Sequence, residues 1–215
     1  MILLKQKVKI YKDRFEAGRL LAKKLAEYKK YCPIILSIPR GGVILGYEVS
    51  KALKARHQVV IAKKISHPLH PEYGIGAISE DLEPYFDFTN FGKAHFNVSL
   101  LTEQIIDNQK EIKNRIKKFR NGKKLDLKNQ VTIVVDDGLA TGVTAIAGLR
   151  YLNKLHPKKL IFAAPVCACK SIGNITPYVT KAICLQSPKN LHSVGFFYRD
   201  FSQVSDKEVL NILRM

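Results

Sequence analysis

Two adjacent carboxylates followed by small and hydroxylated residues carry the densest chemistry in the chain: Asp136 and Asp137, then Gly138, Thr141, Gly142 and Thr144. Paired carboxylates can accept hydrogen bonds from sugar hydroxyls or hold a hydrated divalent cation. Glycines let the backbone approach a ligand without a Cβ in the way. Threonine hydroxyls add donors, and backbone N–H groups at a helix start suit a phosphate. Together these types predict a site for a phosphorylated sugar.

The flanking residues say which elements must position them. Val131 to Val135 is mostly β-branched and reads as a buried parallel strand. Ala145 to Leu155 reads as an amphipathic helix. The acids then stand at the carboxyl edge of a sheet, where open α/β folds bind ligands. An ordinary turn with a capping Thr and solvated acids is the alternative, but the pattern runs unbroken from Val131 to Thr144. It is neither a Walker A loop, lacking Gly-Lys-Ser/Thr, nor a G-x-G-x-x-G fingerprint.

A second strand-to-helix junction lies at Pro39-Arg40-Gly41-Gly42, after a short apolar strand, Ile34 to Ile38. Arg40 can form a fork to phosphate oxygens, and the glycines bare the backbone. Alone the tripeptide is often just a turn. Lys63 and Lys64 close a further predicted strand, Val59 to Ile65, and adjacent strand residues point to opposite faces, so one of them faces the site.

The rest of the chain alternates in the same way. Asp13 with Glu16 predicts a capped helix running to Tyr31 and stopped by Pro33. Val43 to Ala55 and Leu100 to Phe119 read as helices, and Ile75 to Ser79, Leu160 to Pro165 and Ala182 to Leu185 as strands. A final helix starts at Ser205. Strands alternating with helices predict an α/β fold with an open, mostly parallel sheet flanked by helices. The expected organisation is one domain over residues 1–215. The aromatic-rich stretch 82–98 reads as an irregular insertion, either part of a small hood over the site or packed on the core.

The segment VTIVVDDGLATGVT (Val131 to Thr144) closely resembles the phosphoribosyl pyrophosphate (PRPP) motif of type I phosphoribosyltransferases. IPRGGVILG, AKKI, PEYGIGAISED, APV and VGFFYRDFSQVSDKEV extend the likeness to a group of predicted phosphoribosyltransferases of unassigned substrate. The resemblance implies a Mg²⁺-dependent transfer of 5-phosphoribosyl from PRPP to a nitrogen nucleophile, a nucleobase or related heterocycle, with release of pyrophosphate.

The resemblance also implies site roles. Asp136 and Asp137 fix the ribose hydroxyls and hold Mg²⁺ through water or those hydroxyls. Ala140, Thr141, Gly142, Val143 and Thr144 bind the 5-phosphate. Arg40, Gly41, Gly42 and Lys64 bind pyrophosphate, with a cis non-proline peptide in that loop. Lys63 replaces the family's usual Arg. His67 to Gly74 falls where the family has a mobile loop over the site; His67 and His70 there either contact pyrophosphate or are solvated. Tyr198, Arg199 and Asp200 are candidates for the base, their alternative being a packed turn. The 6-oxopurine enzymes carry an Asp three residues after the second acid; here it is Ala140, which weakens a hypoxanthine or guanine assignment. A PRPP- or nucleotide-sensing regulator on the same fold, with RNA on its basic surface, and a hydrolase using a ribose phosphate without a base are the alternatives. The resemblance also implies a homodimer.

Composition bounds these readings. The chain has 215 residues and 46% hydrophobic content, enough for one α/β domain with a good core. No apolar run reaches bilayer-spanning length, and MILLKQKVKI lacks a signal peptide's hydrophobic region, so a cytoplasmic location without membrane attachment is expected. Cys32, Cys167, Cys169 and Cys184 show no metal-ligand spacing and are expected to be buried free thiols. The net charge is +18. A positive field would steer a phosphorylated substrate, but 36 basic residues exceed that need. The run KEIKNRIKKFRNGKK reads as a helix with a solvated basic face, with nucleic-acid binding as the alternative.

Overall fold

The computed structural model describes residues 8–68, 70–87, 98–191 and 193–215. Five short strands form a wholly parallel sheet: β1 (Ile34–Ser37), β2 (Arg56–Val59), β6 (Val131–Val135), β7 (Lys159–Val166) and β8 (Lys181–Gln186), in the order β2-β1-β6-β7-β8. β3 (Lys63–His67), β4 (His70–Ile78) and β5 (Pro84–Phe86) form a second, antiparallel sheet. The helices are α1 (Arg14–Lys24), α2 (Gly42–Leu53), α3 (Thr102–Arg120), α4 (Val143–Asn153), α5 (Cys169–Ile175) and α6 (Asp206–Leu213). The expected open parallel sheet between helices is the architecture observed.

The period-two alternation of the strands builds the two faces of the main sheet. Ile35, Ile133, Val135, Ile161 and Ala163 pack with Leu21 of α1 and Leu45 and Val49 of α2. Their neighbours Leu36, Val134, Leu160 and Phe162 pack on the other side with Ile146, Leu149 and Leu152 of α4. A third cluster joins Ile65, Ile75 and Ile78 of the small sheet to Ile112 and Phe119 of α3 and Val209 of α6.

The order of the main sheet reverses between β1 and β6. From β1 the chain crosses outward to β2; from β6 it crosses the other way to β7 and β8. Ser37 sits opposite Val135, and the ladder continues as Ile38 N–H donates to the Val135 carbonyl at 3.0 Å. The loops leaving β1 and β6 therefore open side by side at the carboxyl edge, the crevice such sheets use for ligands.

Several expectations change. Val59 to Ile65 is not one strand: β2 ends at Val59 and β3 begins at Lys63. Between them Ile61 turns its backbone to side chains, its N–H to Glu80 Oε1 at 2.8 Å and its carbonyl to Ser79 Oγ at 2.9 Å, so the segment passes from one sheet to the other. Lys63 and Lys64 thus open a strand rather than close one. The stretch expected as a mobile loop, His67 to Gly74, lies in the β3–β4 hairpin, with His67 paired to His70; Leu69 lies outside the described residues. In the stretch 82–98, Pro84–Phe86 is a paired strand, and 88–97, with Phe88, Phe91 and Phe96, lie outside the described residues. The first helix ends at Lys24 and continues as a 3-10 turn, Ala26–Tyr31.

The expectation of buried free thiols fails for all four cysteines. Cys167 and Cys184 form a disulfide, with Cα atoms 6.1 Å apart. They lie on neighbouring parallel strands, where Ala164 faces Cys184 and Cys167 follows the end of β7. The sequence separation hides that register. Cys32 and Cys169 are free, but exposed rather than buried. No described helix is long and apolar enough to cross a membrane.

Candidate active site

Asp136 and Asp137 follow the last residue of β6 directly, and the loop after β1 presses against them. A Cβ on Gly41 would sit 1.9 Å from Asp137 Oδ2, and one on Gly42 would sit 2.8 Å from the Val135 carbonyl oxygen. Gly41 is needed because the Asp137 carboxylate occupies the space a side chain would take, and Gly42 because the Val135 carbonyl and then Asp136 do. The sequence suggested ligand access as their purpose; the structure adds this interlock. The loop's cis non-proline peptide is the Pro39-Arg40 bond, one bond before Arg40-Gly41, the candidate that the resemblance left open.

Asp137 has a partner from the far end of the chain. Arg14 Nε donates to Asp137 Oδ2 at 2.9 Å, and Arg14 Nη1 donates to the Ser202 carbonyl at 2.8 Å. The guanidinium also lies 3.9 Å from the centre of the Phe201 ring. The Tyr198 hydroxyl donates to the Asp137 backbone carbonyl at 2.7 Å. Asp136 Oδ1 accepts from the Asp137 N–H at 2.8 Å. Burial pushes the Asp136 carboxyl well above the usual range, and the neighbouring Asp137 charge adds to this. Burial raises Asp137 too, while Arg14 works against the shift. One arginine for two enclosed acids leaves a site that a further cation would satisfy.

The loop after the acids is tied down from behind. Leu139 N–H donates to the Val166 carbonyl and Ala168 N–H to the Leu139 carbonyl, both at 2.8 Å. The Ser171 hydroxyl donates to the Ala140 carbonyl. Gly142, at φ +84°, caps α4 without any side-chain cap bond, so the first-turn N–H groups have no side-chain acceptor from the cap. They open on a small cavity of about 170 Å³ lined by Asp136, Ala140, Thr141, Gly142, Thr144 and Val194, among others. Thr141 is exposed and Thr144 half-exposed, whereas the Val143 side chain is buried, so Val143 can offer only its backbone.

The two lysines part as strand geometry requires. Lys63 Nζ pairs with Glu111 of α3 at 2.6 Å, and Glu111 also holds Arg115 at 2.8 Å. The Lys64 stem lies on the other side: a Cβ on Gly74 would meet Lys64 Cδ at 2.9 Å and Val143 Cγ2 at 3.0 Å. Lys64 is thereby next to the start of α4. Arg40 is half-exposed between the site and α6. There Asp206 is held below the usual carboxylate range by Lys118 first, then by Arg115 and Arg40.

The base candidates divide. Tyr198 is 5% exposed, its ring packed on Tyr11 and Phe201 at centroid distances of 5.5 and 4.9 Å. Its face is therefore closed to a base, and its contact with the site runs through the Asp137 carbonyl. Arg199 and Asp200 are exposed, held by backbone bonds to Tyr11 and Lys12. Arg14, Val194 and Ser171 are site residues that motif reading missed. Arg14 alone left a signal: it opens a helix, where a cation is disfavoured by the helix dipole.

Known proteins resemble this chain in sequence and fold. The family model described as "Phosphoribosyl transferase domain" matches residues 8–196. A Mycobacterium tuberculosis protein named "Putative phosphoribosyl transferase Rv0571c" is 32% identical over 207 residues, 96% of this chain and 47% of its own length. The chain thus spans about half the length of the curated relatives it matches. The crystal structure of TT1426 from Thermus thermophilus superposes with a TM-score of 0.77 at 29% identity, covering 95% of this chain and 97% of that one. The AQ2163 protein of Aquifex aeolicus shares the fold, with a TM-score of 0.51 at 14% identity over 85% and 76% of the two chains.

Proposed function

Since the chain belongs to the phosphoribosyl transferase domain family, we propose that it transfers 5-phosphoribosyl from PRPP to a nitrogen nucleophile, a nucleobase or related heterocycle, releasing pyrophosphate. One observation carries this reading. An enclosed acid pair and an uncapped helix N-terminus stand together at the point where the strand order reverses.

In this reading the N–H groups of Ala140 to Thr144, with the Thr141 and Thr144 hydroxyls, take the 5-phosphate. Binding energy gained at that remote group holds C1 of the ribose in place for reaction. Asp136 and Asp137 accept hydrogen bonds from the ribose hydroxyls. Gly41 and Gly42 present backbone to the pyrophosphate, and Arg40 and Lys64 offset its charge as the bond to C1 breaks. The acceptor nitrogen attacks C1 from the opposite side.

The residues fit Mg²⁺. Carboxylate oxygens suit a hard cation, and among the described residues Arg14 is the cation bonded to the pair. No group of three or more His, Cys, Asp or Glu residues that could hold a metal occurs among the described residues. Asp136 and Asp137 would therefore hold the ion jointly with water and PRPP oxygens, as Mg²⁺ sites commonly do. Bound there, it would neutralise charge on the leaving pyrophosphate. A cytoplasmic homodimer is the proposed setting, and light scattering tests the dimer.

Pyrophosphate release from PRPP with Mg²⁺ tests the activity, measured across a panel of nitrogen heterocycles with a no-acceptor control. Release dependent on one heterocycle is expected and names the acceptor. Release without any acceptor would mean hydrolysis. PRPP binding without release would mean a sensor, and no PRPP binding by calorimetry would sink the site assignment.

A further inference from the structure

The edge of the main sheet opposite the proposed active site is ringed with positive charge. In a parallel sheet all strands begin on one side, and each of the five is entered past a cation. Lys30 precedes β1, Arg56 opens β2, Lys128 precedes β6, Lys159 opens β7 and Lys181 opens β8. Four of these five side chains are exposed and Lys159 is half-exposed. Glu27 approaches Lys181 at 3.7 Å, and Asp126 accepts from the Lys128 N–H. The acid pair lies at the other end of the strands. Helix C-termini at this edge account for part of the charge, but two of the cations do something else.

Lys30 Nζ lies 5.2 Å and Lys159 Nζ 5.4 Å from the centre of the Tyr31 ring. Tyr31 is 43% exposed and packs on a buried neighbour, Tyr28, at 6.3 Å. Tyr28 holds the ring while its outer surface stays in water. An aromatic ring flanked by ammonium groups on a basic edge is what a flexible polyanion with stackable bases requires. Five strands about 4.8 Å apart make this edge roughly 20 Å long, enough for several successive phosphates.

We propose that the strand-start edge is a docking surface for single-stranded nucleic acid, with Tyr31 as a stacking platform and Lys30, Lys159 and their neighbours on the phosphates. A duplex would not use the ring, because it keeps its bases stacked on each other, and a membrane surface offers no row of successive phosphates with bases to stack. This surface stands apart from the proposed catalytic edge and does not depend on it.

The test is fluorescence anisotropy of a labelled mixed-sequence oligoribonucleotide of about 16 residues, with the full chain, over a series of salt concentrations. Binding is expected to weaken steadily as salt rises. The double variant Lys30→Gln, Lys159→Gln should flatten the log–log salt slope by about 1.4, since each single-strand phosphate contact contributes about 0.7. Tyr31→Leu should weaken binding at least about fivefold while leaving the slope unchanged. Excess PRPP with Mg²⁺ should not displace the RNA, and thermal unfolding of the variants should match the parent. Wild-type binding by both variants, or displacement by PRPP, would overturn the proposal. Equal affinity for a duplex of the same sequence would also overturn it. So would preferential binding to phosphatidylserine vesicles that the same substitutions abolish, which would reassign the edge to a membrane.

Discussion

Arg14 Nε lies 2.9 Å from Asp137 Oδ2, joining the first helix to the second acid across 123 positions of sequence. The same guanidinium reaches the Ser202 carbonyl and stacks at 3.9 Å on Phe201. Asp137 and the Ser202 and Phe201 segment, distant from each other in sequence, therefore meet on one guanidinium. Arg14→Met should destabilise the fold by about 3 kcal/mol, because removing one partner leaves a buried charge unmatched. PRPP affinity should fall at least tenfold as Asp137 reorients. Arg14→Lys should recover part of both losses, since it restores the charge but not the second bond to Ser202. Urea unfolding and calorimetry read the two effects; parental PRPP affinity in Arg14→Met would count against the acid pair as a ligand site.

Two glycine substitutions separate crowding from conformation. Gly41→Ala places a methyl 1.9 Å from Asp137 Oδ2, so the loop or the acid must move, and PRPP binding should drop at least tenfold. Gly122→Ala meets nothing within 4 Å but stands at φ +75°. It should lower stability by about 1 kcal/mol, the strain of a left-handed residue, and leave PRPP binding unchanged. Thermal unfolding beside calorimetry checks both.

The Cys167–Cys184 bridge closes a sequence separation of 17, a span for which loop closure predicts about 3 kcal/mol of stabilisation. Cys167 also bridges to Leu139, in the loop proposed to hold the 5-phosphate. Cys184→Ala should therefore lower denaturant stability by about that amount and weaken PRPP binding several-fold. Intact mass before and after reduction checks the bond itself.

His57 predicts a pH dependence of stability. Burial lowers its pKa from 6.5 to about 4, and its Nε2 lies 2.8 Å from the Ser37 hydroxyl oxygen. The unfolded chain takes up a proton on His57 below pH 6.5, the folded chain only below about 4. Stability from this residue is thus full above pH 6.5 and declines as pH falls through that window, by about 2 kcal/mol at pH 5. His57→Gln should flatten the pH 7 to pH 5 difference in urea unfolding; an unchanged difference would assign it to other groups.

Local signals made the site's skeleton readable before the fold was known. The β-branched run Val131 to Val135, the acids and the glycines each state a backbone requirement within a few residues. The same holds for the caps: Asp13 accepts the Glu16 N–H at 2.7 Å, and Ser205 with Glu208 forms a full capping box. What stayed hidden depends on partners distant in sequence. Arg14 finds Asp137, Val194 crowds Gly138, and Cys167 finds Cys184 only once the sheet order is set. The hairpin at His67 to Gly74 was hidden for a different reason: its two prolines signal a loop, while its pairing comes from β3 lying against β4.

Lys63 and Lys64 offer the sharpest test of how the strand divides its duties. They are adjacent in sequence and chemically identical, so charge alone cannot distinguish them. Lys63 is bound to Glu111 at 2.6 Å, within a chain of charges that continues to Arg115. Lys64 runs beside Gly74 and Val143, at the start of α4. Lys63→Met should lower stability by up to about 1 kcal/mol, as for a partly exposed ion pair, with PRPP affinity nearly unchanged. Lys64→Met should leave stability nearly unchanged and weaken PRPP binding at least tenfold by removing the cation proposed to meet pyrophosphate. Equal effects of the two on PRPP affinity would show that the general positive field of the chain, and not a directed contact, draws the substrate in.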